Sequence, residues 1–233
     1  MKFLKIVLGV VCLVVPCANS RAGSITGRVQ AHGKEIPNAE GGTAKYGSRK
    51  YSFVERVDYS SMHDFIVYVE GTALRSATPP EKPVQVVTTK KITQKGAMFT
   101  PNVLPVEVGT TVEWPNHDEI FHNVFSMSEP KPFDLGLYKD PQVKRVTFDK
   151  PGRVEVFCSI HSSMNCTILV LDNPFYAATD ENGKYSIQNV PGGVYKLTAW
   201  HKRLPMLTQE ITVPAVGELK MDFKLGITNL PKY

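Results

Sequence analysis

The stretch that decides the fold is Arg153-Val-Glu-Val-Phe-Cys-Ser-Ile-His-Ser-Ser-Met-Asn-Cys-Thr-Ile-Leu-Val-Leu171. Residues 153–157 and 167–171 are short runs rich in β-branched residues, which is typical of strands. The seven residues 158–164 between them predict a turn. That turn carries a thiol, an imidazole and a thioether, on Cys158, His161 and Met164.

The chain before this stretch continues the same pattern. Residues 99–114 predict two strands joined at Gly109, and residues 145–148 pair with 153–157 through a turn at Pro151-Gly152. Further strands are predicted at 84–89 and 123–125. About seven strands at this spacing predict a Greek-key β-sandwich over residues 84–171.

The flanks of this sandwich also predict strands. On the amino-terminal side these are residues 23–29 and 65–70, followed by a linker at 77–83 that contains three prolines. On the carboxyl-terminal side residues 175–190 predict a hairpin with an Asn182-Gly183 turn, and further strands are predicted at 194–201, 209–213 and 219–225. The fold class predicted for the whole chain is therefore all-β.

The first 22 residues predict a secretory signal peptide. Lys2 and Lys5 precede an apolar run at 6–15 that is too short to span a bilayer, and small residues follow up to a cleavage point after Ser20 or Ala22. Cys17 raises the alternative of a lipoprotein cleavage, which the proline directly before it disfavours. No transmembrane segment is predicted elsewhere. We therefore expect an exported protein in the periplasm.

Much of the net positive charge lies in the predicted signal peptide. The chain carries a formal charge of +5, and removing Lys2, Lys5 and Arg21 from its 27 basic residues leaves 24 against 22 acidic ones. No basic stripe interleaved with aromatic residues is present in the sequence. Nucleic acid is therefore not an expected partner.

The residue types on the turn at 158–164 suit a metal. A thiolate and two imidazoles in one plane, with a weak axial thioether, are the ligand set of an electron-transfer copper site. Cys158, His161 and Met164 supply three of these donors, and His122 supplies the second imidazole from a distant strand. His117 lies close by, but its neighbours Asn116 and Asp118 predict a solvated turn, so it is not counted as a ligand.

Three alternatives compete for Cys158. A disulfide with Cys166 is the usual expectation for an exported chain with two cysteines, and it would remove the thiolate. Cys166 shares strand parity with Ile168 and Val170, however, which predicts a small buried side chain in the core. A structural zinc site would need a second Cys/His pair, and a thiol enzyme would leave His122 and Met164 unexplained.

Residues 84–171 resemble the cupredoxin family of the plastocyanin and amicyanin type, including methylamine-utilisation-like proteins. The resemblance lies in residues 99–114, in 116–126 and in the Cys-x2-His-x2-Met spacing of 158–164. It implies one copper ion per chain, bound by His122, Cys158, His161 and Met164. Asn123, directly after the first ligand, matches a residue whose backbone supports the thiolate in that family.

Residues 23–71 and 172–230 resemble a second module, the carboxypeptidase regulatory-like (transthyretin-like) domain. The resemblance rests on Gly23-Ser-Ile-Thr-Gly-Arg-Val29 and on the Thr179-Asp-Glu-Asn-Gly motif with its later Pro191-Gly-Gly193. It implies that one small β-sandwich is interrupted by the copper domain. Two independent amino- and carboxyl-terminal units would contradict this. Trp200 and His201 are expected to be packing or surface residues.

The expected function is one-electron transfer, with a c-type cytochrome or a dehydrogenase as partner. Copper storage, or binding in the cell envelope without electron transfer, is the alternative. The chain is not expected to be an enzyme, since multicopper oxidases and reductases need further histidine pairs and the chain has six histidines.

Overall fold

The computed structural model describes residues 22–33, 58–71, 74 and 88–226. The predicted signal peptide, apart from Ala22, and the predicted linker at 77–83 lie outside these residues. Within them the chain forms strands, and a 3₁₀ turn lies at Tyr59–Ser61. No helix among the described residues is long and apolar enough to cross a bilayer. The all-β prediction is confirmed.

Eighteen strands follow one another along the described chain. They are β1 (Ala22–His32), β2 (Ile66–Glu70), β3 (Thr89–Lys91), β4 (Thr93–Gln94), β5 (Phe99–Thr100), β6 (Val103–Glu107), β7 (Thr110–Pro115), β8 (His122–Ser126), β9 (Phe133–Tyr138), β10 (Val143–Phe148), β11 (Gly152–Phe157), β12 (Asn165–Leu171), β13 (Tyr176–Ala178), β14 (Lys184–Pro191), β15 (Gly193–His201), β16 (Leu204–Val213), β17 (Gly217–Lys220) and β18 (Phe223–Gly226).

The middle of the chain forms the first sandwich. A five-stranded sheet in the order β6-β12-β11-β8-β9 faces a three-stranded sheet in the order β10-β7-β3 and the short pair β4-β5. Alternate apolar residues of these strands bury one core, which includes Trp114, Phe148, Val156 and Ile168. The turn predicted at Gly109 joins β6 to β7, and its φ of +94° suits a glycine.

The ends of the described chain build a second pair of sheets. β1 pairs with β14, β17 and β18, and the other sheet has the order β13-β2-β15-β16. Their shared core contains Ile25, Val67, Leu197 and Phe223. Strands before and after the first sandwich therefore hydrogen-bond to each other. The domain boundaries assigned from sequence, 23–71 with 172–230 and 84–171, stay a prediction.

Several of the sequence predictions for strands need correction. Neither predicted hairpin forms: β10 pairs with β7 whereas β11 pairs with β12 and β8, and β13 pairs with β2 whereas β14 pairs with β1. The predicted turns at 151–152 and 182–183 therefore carry the chain from one sheet to another. The single strand expected at 219–225 is two strands, β17 and β18, because the chain leaves the ladder at Met221 and Asp222. There the N–H of Met221 donates to the carbonyl of Thr26, and the Asp222 carboxylate accepts from the N–H of Arg28. The prediction also missed β9, in which Gly136, with a φ of +64°, is an unfavourable strand residue.

The two sandwiches pack against each other through a small apolar cluster. Its buried members are Ile66, Val103, Leu169, Leu171 and Trp200. The guanidinium of Arg153 lies 5.6 Å from the centre of the Trp200 ring. β12 is thus buried on both faces, because Cys166, Ile168 and Val170 point into the first core while Leu169 and Leu171 point into this cluster.

Candidate metal centre

The turn at 158–164 is closed by its own backbone. The N–H of Cys158 donates to the carbonyl of Met164 at 3.1 Å, and the N–H of Met164 donates to the carbonyl of His161 at 3.0 Å. The side chains of Cys158 and Met164 are 6% and 1% exposed and belong to the same core. The turn therefore holds a thiol and a thioether at one corner of the first sandwich.

His122 enters this corner from the start of β8. Its side chain is fully buried, and its Nδ1 lies 3.2 Å from the Nδ1 of His161. The Sγ of Cys158 lies 3.8 Å from the same His161 nitrogen. The structure thus brings His122 of β8 to the two donors of the turn, Cys158 and His161.

The spacing of these atoms fits a shared metal ion. Imidazole nitrogen and thiolate sulfur bind a transition metal such as zinc at about 2.0–2.3 Å, so two donors on one ion lie at most about 4.6 Å apart. The two measured separations, 3.2 and 3.8 Å, are well inside that limit. All three donor atoms lie within 4.8 Å of one another. The cluster His122, Cys158 and His161 can therefore hold a metal.

Asp118 is a residue of this site that the sequence analysis missed. Its carboxylate oxygen lies 2.8 Å from the Nε2 of His122, on the side of the ring that faces away from the cluster. The same carboxylate accepts hydrogen bonds from the N–H groups of Gly96 and Ala97 at 2.7 and 2.9 Å. Burial alone would raise the pKa of Asp118, but the hydrogen bonds from Ala97, His122 and Gly96 outweigh it and lower the pKa.

The solvated turn predicted around His117 is only partly present. His117 is exposed, but Asn116 is buried, with its amide donating to the carbonyls of Ile120 and Tyr138. The N–H of Asp118 donates back to the Asn116 side chain at 2.9 Å. These contacts fold the loop before His122 onto β9, because the buried amide needs partners that water does not supply.

Asn123 contacts the ligand turn through its side chain. Its Oδ1 accepts a hydrogen bond from the N–H of Ser159 at 3.3 Å, and its Nδ2 donates to the carboxylate of Asp134 at 2.6 Å. Ser159 directly follows Cys158. Asn123 therefore links β8, the residue after the thiol and β9, whereas the sequence analysis considered only its backbone.

Both described cysteines are free thiols. Cys166 is fully buried in the first core, opposite Val156 on the neighbouring strand. Burial raises the pKa of the Cys166 thiol, which keeps it protonated at neutral pH. The alternative disulfide between Cys158 and Cys166 is not formed, so the Cys158 sulfur is available to the cluster.

The surface next to the cluster is apolar. Ile120, Phe121 and Ile160 lie within two residues of His122 or His161 in the sequence, and each is about half exposed. His161 itself is half-buried. The site therefore lies directly under the protein surface, with His161 as the cluster residue that reaches solvent most.

Comparisons with known proteins match separate parts of the chain. A family model described as polysaccharide lyase family 4, domain II, matches residues 166–220, from β12 into β17. No protein of curated function matches the chain in sequence.

Three solved structures illustrate the structural matches. The Cu-containing nitrite reductase of Thermus scotoductus is 32% identical over 35% of this chain, and the match spans only 22% of that enzyme, with a TM-score of 0.34. A purple cupredoxin from Nitrosopumilus maritimus is 24% identical over 36% of this chain and 98% of its own, with a TM-score of 0.32. A point mutant of amicyanin in its Cu(I) form is 20% identical over 45% of this chain and 97% of its own, with a TM-score of 0.33.

Proposed function

We propose that this chain binds one copper ion in a type 1 site and carries single electrons. His122, Cys158 and His161 are the three strong ligands, and Met164 is the weak axial one. The observation that carries the proposal is the meeting of two imidazole nitrogens and one thiol sulfur at a buried corner of the sandwich. Bound copper would supply a one-electron couple between Cu(I) and Cu(II).

The donor set favours copper over zinc. Soft thiolate and thioether groups suit copper, whereas structural zinc sites close their coordination with paired cysteines and histidines. The described residues offer one thiol at this corner, since Cys166 points into the core of the sandwich. Met164 is buried in the same core as Cys158, which keeps its thioether next to the turn and out of solvent.

The protein holds these ligands in a way that suits electron transfer. Cys158 and Met164 begin and end a turn closed by a direct backbone hydrogen bond. The strand that leaves the turn, β12, is buried on both of its faces. A ligand frame fixed in this way moves little when the metal gains or loses an electron.

The surface position of His161 suggests the route for electrons. Its ring is the most exposed of the three in the cluster, and Ile120 and Ile160, near the ligands in the sequence, are exposed apolar side chains, so the edge of His161 is the proposed point of exchange. Redox partners dock weakly and transiently on small surfaces. We propose a c-type cytochrome or a dehydrogenase as the partner, and no nucleic acid.

The proposal includes the location and the second sandwich. The chain is exported to the periplasm after removal of residues 1–22, and the sandwich formed by 23–71 with 172–230 is a carboxypeptidase regulatory-like module that supports the cupredoxin domain of residues 84–171. We propose that the whole chain is an electron carrier rather than an enzyme. Copper storage, or binding in the envelope without electron transfer, is the alternative function.

Voltammetry combined with a chelator challenge distinguishes an electron carrier from a protein that stores or delivers copper. The protein is loaded with one equivalent of copper and cycled at an electrode. A carrier gives a fast, reversible one-electron wave and keeps its copper against a Cu(I) chelator after reduction. Slow electron exchange with release of copper on reduction would contradict the electron-transfer proposal and favour storage or delivery.

A further inference from the structure

Asp118 links the turn at residues 95–98 to the ring of His122. One carboxylate oxygen contacts the Nε2 of His122, and the carboxylate also accepts from the N–H groups of Gly96 and Ala97. Those two residues form a tight turn with positive φ angles of 62° and 52°, closed by hydrogen bonds between Lys95 and Met98.

We propose that Asp118 is a positioning residue that fixes His122 in the tautomer with its proton on Nε2 and its Nδ1 lone pair turned towards Cys158 and His161. The inference rests on the proposed function, because the free lone pair matters only if a metal binds there. A carboxylate accepts and cannot donate, so the nitrogen that contacts it must carry the proton. The other nitrogen is then unprotonated.

Among the groups around the His122 ring, Asp118 is the one that selects the tautomer. His122 is fully buried, so water does not compete for its Nε2 proton. Its Nδ1 faces another imidazole nitrogen at 3.2 Å, which can donate or accept according to its own tautomer. The carboxylate of Asp118 is the partner of fixed polarity, and metal-binding histidines in general are oriented by such a group.

The turn at residues 95–98 makes the carboxylate rigid. The N–H of Gly96 contacts Oδ1, and the N–H of Ala97 and the Nε2 of His122 both contact Oδ2, so rotation of the carboxylate would break all three contacts. The alternative is that Asp118 only caps the turn and contacts His122 by proximity. That alternative predicts a loss of stability on mutation but no change in the His122 tautomer.

The first test uses the whole chain without metal, at about pH 8, where an ordinary imidazole is neutral. Two-bond ¹H–¹⁵N correlation spectra report which nitrogen of His122 carries the proton. We expect the proton on Nε2 in the unmodified protein and a mixture of both tautomers in Asp118→Ala. A His122 proton on Nδ1 in the unmodified protein would overturn the inference, whatever the variants do.

Two further variants separate positioning from folding and from charge. Asp118→Asn keeps one of the two oxygens that accept from Gly96 and Ala97, and the turn keeps its own hydrogen bonds between Lys95 and Met98. An amide oxygen is a weaker acceptor for His122 than a carboxylate, so we expect part of the tautomer shift. Glu119→Gln removes the adjacent, exposed carboxylate and should leave the tautomer unchanged. Asp118 variants that lose stability but keep the original tautomer would assign turn capping alone and refute the positioning role.

The second test loads the same proteins with copper. Loss of a group that orients a metal-binding histidine typically weakens metal binding about 10–100-fold, and we expect this for Asp118→Ala. Removing a negative charge beside the site should raise the reduction potential in Asp118→Asn more than in Glu119→Gln. Equal affinity and equal potential in all variants would contradict the inference.

The two tests distinguish failure of this inference from failure of the proposed function. If the unmodified chain binds no copper but its His122 tautomer depends on Asp118, the proposed function fails while the positioning role is supported. If the unmodified chain forms a blue copper site and the Asp118 variants behave as Glu119→Gln does, the positioning role alone is refuted.

Discussion

The backbone N–H of Cys158 donates a hydrogen bond to the carbonyl oxygen of Met164 at 3.1 Å, so the first and last residues of the ligand turn are neighbours. Both side chains then enter one core, at 6% and 1% exposure. The thiol and the thioether are thereby placed by the packing of the sandwich. Substitutions at Met164 should consequently change the metal more than the fold.

Met164→Leu should raise the reduction potential of the bound copper and leave the fold intact. Leucine has nearly the volume of methionine, so the free energy of unfolding should change by less than about 1.5 kcal/mol. Loss of axial electron donation disfavours the more highly charged Cu(II) relative to Cu(I), and the axial ligand is one of the groups that tune this potential. Met127→Leu, at a methionine that is 85% exposed, is the control. Equal potentials in the two variants would rule Met164 out as the axial ligand.

Cys166→Ser should destabilise the protein without removing the copper site. The Cys166 side chain is fully buried among apolar residues, and a hydroxyl placed there without a partner costs about 1–3 kcal/mol. Chemical denaturation of the metal-free protein measures this. The visible absorption of the copper form should keep its position and intensity. Loss of that absorption in Cys166→Ser would contradict the assignment of Cys158 as the thiolate ligand.

His201 should make the stability depend on pH. Burial, with a smaller contribution from Lys202, lowers the pKa of His201 from 6.5 to about 4. The unfolded chain therefore takes up this proton first, so the free energy of unfolding falls as the pH drops from about 6.5 towards 4, and His201 adds no further loss below that. Urea denaturation of metal-free protein across this range measures the fall.

The contribution of His201 is isolated by comparison with a variant. His201→Phe removes the titrating imidazole, so the free energy of unfolding should fall less between pH 6.5 and 4. The variant should stay folded, because a phenyl ring can pack beside Phe65, whose ring centre lies 5.1 Å from that of His201. His32→Gln, at an exposed histidine, should follow the unmodified protein. An unchanged slope in His201→Phe would show that other groups cause the pH dependence.

Trp200→Ala should weaken the contact between the two sandwiches. Trp200 is 7% exposed in the apolar cluster between them and lies under the guanidinium of Arg153. Truncating a buried aromatic side chain costs about 3–5 kcal/mol. Val194→Ala, at a side chain that is 64% exposed, should change the free energy of unfolding by no more than about 0.5 kcal/mol. If Trp200→Ala changed the free energy of unfolding as little as Val194→Ala does, the two sandwiches would not be energetically coupled.

The sequence predicted the parts of the site that depend on local spacing. Cys158, His161 and Met164 lie on one turn, and alternation of apolar residues identified the strands on either side of it. His122 could be chosen because its apolar neighbours indicate a buried strand. The structure brings His122, Cys158 and His161 together as expected, whereas their roles as copper ligands stay a prediction.

The parts that could not be predicted depend on contacts between distant segments. Asp118 acquires its role from Gly96 and Ala97, which no local pattern links to it. Asn116 was expected in solvent because asparagine favours turns, but a buried carbonyl on β9 satisfies its amide. The packing of Trp200 against the first sandwich likewise follows from the pairing of β2 with β15, which the sequence motifs indicate only indirectly.

Visible absorption on addition of copper tests the central claim most directly. Metal-free protein titrated with Cu(II) should develop an intense visible band, from charge transfer between the Cys158 thiolate and copper, that saturates at one equivalent. Cys158→Ser should bind without that band, and Cys166→Ser should retain it. A titration of the unmodified protein that gives no such band, or one that persists in Cys158→Ser, would contradict the type 1 copper site.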